Sequence, residues 1–141
     1  MTRTEILEKI IVALKNIHIS NGYKTDLGRL VHSGLIPSIE RNDKASMCIV
    51  SALNESVLLN SHSSRCTRVS LIISMLCFIP RERNNPYIKA YDVIDDVQTA
   101  LASLDSTGLT YASYSLDNDV IIGSAYIPLE IRYTIDYTLK L

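Results

Sequence analysis

The chain has 141 residues, a formal net charge of −1 and a hydrophobic fraction of 47%. This length suits a single domain, residues 1–141, and the hydrophobic content is enough for a buried core, which excludes a disordered chain. No stretch approaches the roughly 20 apolar residues of a transmembrane helix. The charged first residues do not form a signal peptide, so a cytoplasmic start is expected. The absence of a basic surplus argues against a protein that holds duplex DNA by its phosphates.

The first predicted element is a helix. Thr2 and Glu5 have the spacing of a capping box, in which each side chain binds a free backbone N–H group. Asn21-Gly22 is expected to end the helix, because both residues tolerate positive φ. The apolar stripe between these signals consists of Ile6, Leu7, Ile10, Leu14 and Ile17.

Three strands are predicted to follow. Residues 28–36 form a short strand, and residues 37–46 form a polar loop. Residues 47–59 and 67–79 are predicted to form a long hairpin with its turn at 60–66, and the second strand, apolar on both faces, is typical of a central strand. At about 3.3 Å per residue such strands span roughly 43 Å, so part of the hairpin is expected to project beyond the core.

A second helix is predicted to begin at Pro86, after a charged loop at 80–85 in which Asn84 or Asn85 supplies the cap, and Gly108 is expected to supply its stop. Its apolar face is predicted to contain Tyr87, Ala90, Tyr91, Ile94, Val97, Leu101 and Leu104, and its polar face Lys89, Asp92, Asp96 and Ser103. A strand at 109–116 and a turn at Asp117-Asn118 come next.

The final segment alternates with a period of two, which predicts a strand with one buried face. The buried set is Ile127, Leu129, Ile131, Tyr133, Ile135 and Tyr137, and the opposite set is Glu130, Arg132, Thr134 and Asp136. Pro128 marks an edge, a bend or a bulge. The element order αβββαββ predicts an α+β fold: a mostly antiparallel β-sheet with two helices packed on one face and a long β-hairpin.

No catalytic, cofactor-binding or metal-binding residues are predicted. The three cysteines lack metal-ligand spacing and are interpreted as reduced thiols. Residues 117–119 are interpreted as a turn. A calcium-binding loop beginning there would need a glycine and a glutamate at later positions, and both are absent. Asp92, Asp95 and Asp96 are interpreted as a solvated helix face. The sequence contains no glycine-rich phosphate loop and no serine elbow. A catalytic triad whose residues lie far apart in the sequence remains an open alternative.

Arginines and tyrosines are the remaining candidates for contacts. Arg65 and Arg68 lie near the tip of the predicted hairpin, and Arg81 and Arg83 lie beyond the other end of its second strand. They are either solubilising loop charges or contacts to an acidic partner surface. The tyrosines of the last strands, Tyr111, Tyr114 and Tyr126, are interpreted as core or subunit-interface residues, because the aromatic signature of RNA-recognition sheets is absent.

Several of these segments resemble one protein family. The runs Leu14-Lys15-Asn16-Ile17 and Asn21-Gly22-Tyr23-Lys24-Thr25-Asp26-Leu27-Gly28 resemble the opening of tail terminator proteins of tailed bacteriophages, which include minor tail protein U-like neck components. The helix Ala90-Tyr91-Asp92-Val93 continuing to Ala100-Leu101, and the strand Leu129-Glu130-Ile131-Arg132-Tyr133, are similar to later parts of that family. The order of elements fits over most of the chain, except at 37–46 and in the serine-rich turn.

The resemblance implies a subunit of a six-membered ring in the virion tail or neck. Such a ring caps the finished tail tube, ends its polymerisation and offers a surface to the head connector. Its partners would be further copies of itself, the tail tube protein and a connector or stopper protein, with DNA only as cargo through the lumen and with no cofactor or membrane. Expected interface residues are Arg65, Arg68, Arg81, Arg83, Glu130, Arg132 and Asp136. A ring needs two different patches on each subunit, which a projecting hairpin and an edge strand would supply.

Other functions remain open at this point. Another neck protein, such as a stopper or a head-completion protein, would share most of these features. A nucleic-acid-binding module would use the arginine loops and bind DNA with a steep salt dependence. A small hydrolase or ligand-binding domain would contain a deep pocket with a histidine or carboxylate whose pKa is strongly shifted.

Overall fold

The computed structural model describes residues 2–33, 47–61, 66–80, 86–104, 108–116 and 126–140. The elements are α1 (Arg3–Lys15), β1 (Val31–Ser33), β2 (Met47–Ser61), β3 (Cys66–Pro80), α2 (Pro86–Ala102), β4 (Leu109–Leu116) and β5 (Tyr126–Lys140). Two 3-10 turns, Ile19–Asn21 and Leu27–Leu30, lie between α1 and β1. The predicted order αβββαββ and the α+β class are confirmed.

The five strands of the described segments form one sheet in the order β1-β2-β3-β5-β4. Among the described strands, only β1 and β2 pair in parallel, and the other three pairs are antiparallel, as predicted for most of the sheet. β3 is the central strand and pairs with β5 along all of its 15 residues. β1 covers only Cys48 to Val50 of β2, so the rest of β2 forms one edge of the described sheet and β4 forms the other.

Both helices pack on one face of this sheet. On that face, alternate residues of β3 from Val69 to Ile79 and of β5 from Ile127 to Tyr137 are at most 9% exposed. They share one core with the buried residues of the helices, which include Ile6, Ile10, Leu14, Ala90, Val93, Val97 and Leu101. The alternation predicted for the last strand is therefore confirmed, and Ile131 is fully buried.

The first helix begins as predicted but ends earlier. Thr2 and Glu5 form the capping box. The helix stops at Lys15, and Gly22, at φ +91°, closes the following 3-10 turn instead. The physical reason is Gly28, whose backbone N–H donates to the carbonyl of Ile17 at 2.9 Å. A Cβ atom at this position would lie 2.4 Å from the carbonyl oxygen of Lys15, so only glycine lets the chain return this closely.

The apolar face predicted for α2 is partly wrong. Tyr87 and Tyr91 are 41% and 49% exposed, whereas Val93 and Ala100 are buried. Asp96, predicted on the polar face, is only 3% exposed. The reason is that α1 and the loop after the first 3-10 turn pack against α2 in addition to the sheet.

Other strand predictions are refined by the structure. β4 has the predicted bounds, but the segment predicted as a strand at 28–36 is helical until Leu30 and extended over Val31–Ser33, the last of its residues that the structure describes. Pro128 pairs with β3 beyond the last β4 partner, Leu129, so it lies at a local edge of an otherwise interior strand. The predictions for 34–46, 62–65, 81–85 and the turn at Asp117-Asn118 lie outside the described residues. Neither helix is long and apolar enough to cross a membrane.

Candidate interaction surfaces

Four of the predicted interface residues lie together on the face of the sheet away from the helices, which we call the outer sheet face. Arg68 belongs to β3, and Glu130, Arg132 and Asp136 belong to β5, all at positions that alternate with the core residues. Arg68, Arg132 and Asp136 are exposed, and Glu130 is half-buried. The other three, Arg65, Arg81 and Arg83, lie outside the described residues.

The charges of the outer sheet face alternate in sign along the strands. Arg132 Nε donates to Glu130 Oε1, and Ser74 Oγ donates to Glu130 Oε2 at 3.2 Å. Arg68 and Asp136 lie further along the sheet. Arg68 opposes Thr138, which is two positions after Asp136 on β5. A surface of mixed sign suits a protein partner of complementary charge better than a phosphate backbone, which requires a surplus of cations.

The loop after the first 3-10 turn is fastened to α2 by the buried carboxylate of Asp96. Its Oδ1 accepts from the backbone N–H of Lys24 at 3.0 Å. Its Oδ2 accepts from the backbone N–H and the hydroxyl of Thr25 at 2.8 and 2.7 Å. A buried carboxylate is stable in a protein when such donors replace its water. The interpretation of Asp96 as part of a solvated face is therefore wrong, because these donors come from a loop about 70 residues earlier in the chain.

The two neighbouring aspartates remain on the surface, as predicted. Lys24 Nζ donates to Asp95 Oδ2 at 2.8 Å and lies 4.0 Å from Asp92 Oδ1. The hydrogen bond with Asp95 raises the pKa of Lys24. A cleft of about 370 Å³ lies beside this pair. Its charged side chains already bind one another or the loop, and the described residues contain no group of three or more histidine, cysteine or acidic residues placed to hold a metal ion.

A second polar cluster, not predicted, joins the start of α1 to the sheet. Arg3 Nε and Nη2 donate to the two carboxylate oxygens of Glu55 at 2.8 and 2.5 Å, and the Tyr137 hydroxyl donates to Glu55 Oε1. The hydrogen bonds from Arg3 and Tyr137 lower the pKa of Glu55. Burial, and then the bond to Glu55, raise the pKa of Tyr137. The cluster holds the first turn of α1 against the long strands.

A change in register explains why Glu55 lies on the helix side. Before the shift between Ala52 and Asn54, the even-numbered residues of β2 oppose core residues, as Val50 opposes Met75. After it, Glu55 opposes the buried Leu71. Directly opposed residues of antiparallel strands share a face, so the bulge turns Glu55 towards α1.

The Glu55 cluster predicts a stability difference that depends on pH. Because the pKa of Glu55 is lower in the folded than in the unfolded protein, its contribution is present above the ordinary value of 4.5 and is lost as the pH falls through the folded value. Glu55→Gln should therefore reduce the free energy of unfolding near pH 7, and the difference from the unmodified chain should shrink below about pH 4.5. Urea denaturation across this range measures it. A difference that stays constant with pH would contradict the prediction, and Glu8→Gln, on the exposed face of α1, is the control.

Two of the three tyrosines predicted to make contacts on the last strands are exposed. Tyr111 and Tyr114 are 36% and 45% exposed, and Tyr126 is half-buried. Tyr114 meets Tyr91 of α2 edge to face with ring centroids 6.5 Å apart, and Tyr111 meets Tyr133 at 5.6 Å. Exposure excludes the core role for Tyr111 and Tyr114, and the interface role stays a prediction.

Two of the cysteines are buried cross-strand neighbours. Cys48 and Cys77 are register partners in β2 and β3, and both are inaccessible to solvent. A hydrogen bond with Cys48, together with burial, raises the pKa of Cys77 well above its ordinary value. Because the thiolate is the reactive form, Cys77 is a poor nucleophile at neutral pH.

Comparison with models of protein families and with curated proteins finds no match to this chain. The resemblance to tail terminators therefore rests on the residues that carry it.

Proposed function

We propose that this chain is a structural virion protein, a tail terminator whose ring caps the phage tail tube, ends its polymerisation and provides the surface for joining the head. The observation that carries the proposal is a contact between two segments that resemble this family. The run at 21–28 and the helix at 90–101 are far apart in sequence, yet Asp96 binds Lys24 and Thr25 directly. The resembling segments thus form one structural unit, which also requires the glycine at position 28.

The two edges of the sheet support a ring. The part of β2 beyond its pairing with β1 and the outer side of β4, neither of which pairs with another described strand, are different surfaces of one subunit, and a closed ring is built by joining two such different surfaces. The outer sheet face adds charges of both signs, which can fix the orientation of a neighbour. Further copies of this chain, the tail tube protein and a connector or stopper protein are the partners in this proposal, and DNA passes through the lumen as cargo.

Termination needs shape and charge rather than a reaction. A tail tube grows because each added ring exposes the same adhesive upper surface. Growth stops when a different protein binds that surface without recreating it. A terminator therefore needs a lower face that mimics a tube subunit and an upper face that does not, and separated charged surfaces on one small domain can provide this difference.

Removal of the protein from an infection tests the proposal. We expect full heads and unattached tails, many of them longer than normal, because nothing ends polymerisation. Electron microscopy of the lysate measures both outcomes. Normal-length tails joined to heads would exclude the terminator role. Normal-length but unattached tails would indicate a stopper or completion protein instead.

Charge reversal near the hairpin tip tests the proposed contact. Replacing Arg65 and Arg68 together with glutamate should weaken assembly on tails, because the contact with a neighbouring subunit or partner loses its complementary charge. The unfolding free energy should change by under about 0.5 kcal/mol, as is usual for charge changes at exposed positions such as Arg68. Complementation of the infection and chemical denaturation measure the two effects. Lys9→Glu, exposed on α1, is the control, and unchanged assembly of the double variant would count against this contact.

A further inference from the structure

β4 is an edge strand without the usual protection. Its eight residues, Leu109–Leu116, include no charged residue and no proline, and six consecutive ones are exposed. Among the described residues, no strand pairs with its outer side. Natural edge strands usually carry charges or proline, because an unprotected edge is a template for pairing with another chain.

The bulge in β4 gives this edge an unusual symmetry. Tyr111 opposes Tyr133 and Tyr114 opposes Ile131, so the register shift between Tyr111 and Ser113 leaves both tyrosines on the helix side. With Tyr111 and Ala112 counted as one position, the strand reads alike from both ends around Ser113. The matching pairs are Leu109 with Leu116, Thr110 with Ser115, and Tyr111 with Tyr114.

We propose that two copies of this chain pair through their β4 edges, antiparallel and related by a two-fold axis at Ser113. Hydrogen-bonded and non-hydrogen-bonded pairs alternate along an antiparallel ladder, so a two-fold axis must pass where one residue opposes its own copy. In this register Ser113 opposes Ser113 of the second copy. Opposed residues then also share a face, with leucines and tyrosines on the helix side and Thr110 and Ser115 on the outer sheet face.

A second copy fits this edge because the edge complements itself. A strand without charges brings no like charges together when it pairs with its own copy. Each copy also adds two exposed tyrosines, Tyr111 and Tyr114, and Tyr114 lies beside Tyr91, which is 49% exposed. Aromatic cross-strand pairs favour such pairing. Eight residues of edge contact bury less than the roughly 1,200 Å² of a standard interface, so the dimer should be weak and should depend on concentration.

This inference does not rest on the proposed function. The two-fold axis makes the two copies of the dimer equivalent and uses the same edge of each. A terminator ring instead joins different edges and needs an upper face that differs from its lower face. The dimer is therefore the form of the free subunit, in which the β4 edge of each copy is covered by the other.

Cysteine crosslinking of the full chain tests the register. In a Cys66→Ser background, Ser113→Cys should form a disulfide-linked dimer under mild copper-phenanthroline oxidation, since directly opposed residues lie about 4.5–5.5 Å apart. Ser115→Cys alone should not, because its copy lies four positions away, about 13 Å, which exceeds the reach of a disulfide. Thr110→Cys should likewise fail alone but crosslink when mixed with Ser115→Cys. All three positions are exposed, so the fold should be retained, which circular dichroism checks.

Sedimentation of the unmodified chain supplies the second readout. We expect a monomer–dimer equilibrium between about 10 and 200 µM. A monomer throughout this range would overturn the proposal. Self-association in which Ser113→Cys crosslinks no better than Ser115→Cys would also overturn it, in favour of pairing between β4 and a different edge. The length of tails in an infection is independent of both readouts, so failure of the dimer is distinguishable from failure of the terminator role.

Discussion

Replacing Asp96 with alanine is expected to destabilise the protein by about 3–5 kcal/mol. The substitution leaves two backbone N–H groups and one hydroxyl, those of Lys24 and Thr25, without their acceptor at a site that is 3% exposed. Each buried donor that loses its partner costs about 1–3 kcal/mol of unfolding free energy. The cost is towards the upper end of this range when the lost acceptor carried a charge. Urea denaturation at neutral pH measures the loss.

The adjacent aspartate provides the control. Asp95 binds Lys24 Nζ on the surface, where its side chain is 53% exposed, so Asp95→Ala should cost under about 1 kcal/mol. Asp96→Asn should fall between the two, because the amide keeps one acceptor oxygen but turns an NH₂ group towards backbone donors. If Asp96→Ala cost no more than Asp95→Ala, the carboxylate would not be what fastens the loop.

Asp96 also shows where sequence reasoning reaches its limit. Within α2, three aspartates close together are typical of a solvated face, and nothing local distinguishes Asp96 from Asp92 or Asp95. What buries Asp96 is a set of backbone donors from a distant loop, and backbone N–H groups look the same in every sequence. Val93 and Ala100, about one turn on either side of Asp96, are buried with it, whereas Tyr91 is exposed.

Strands were predictable where the period of two ran unbroken against a core. β5 has the predicted faces. β4 has the predicted bounds, although a bulge interrupts its period of two. Bulges were not predictable, because one extra residue reverses the faces without a signal in composition. Glu55 is the clearest example: it is the only charged residue in β2, and only the register shift explains its position beside Arg3. The charged residues of the outer sheet face were predictable because β5 has no such shift against β3.

The early end of α1 has a similar cause. The apolar spacing continues to Ile17, which is fully buried, so the stripe itself was correct. The helix nevertheless stops at Lys15, because the carbonyl of Ile17 binds the backbone N–H of Gly28. The pattern shows which side chains are buried, but it does not show which backbone groups a returning chain will bind.

Replacing Ile131 with alanine is expected to cost about 2–5 kcal/mol of unfolding free energy. Ile131 is fully buried, and it lies between Met75 of β3 and Tyr114 of β4 in the register of the sheet. Packed strands on both sides prevent the sheet from closing around the lost volume, which places the cost towards the upper part of that range.

Asp136→Ala is the matched control, because it lies on the same strand but on the exposed outer sheet face, and it should change stability by under about 0.5 kcal/mol. A shift of one residue in the register would exchange the two faces of β5. A large loss for Asp136→Ala together with a small loss for Ile131→Ala would therefore refute this arrangement of the strand.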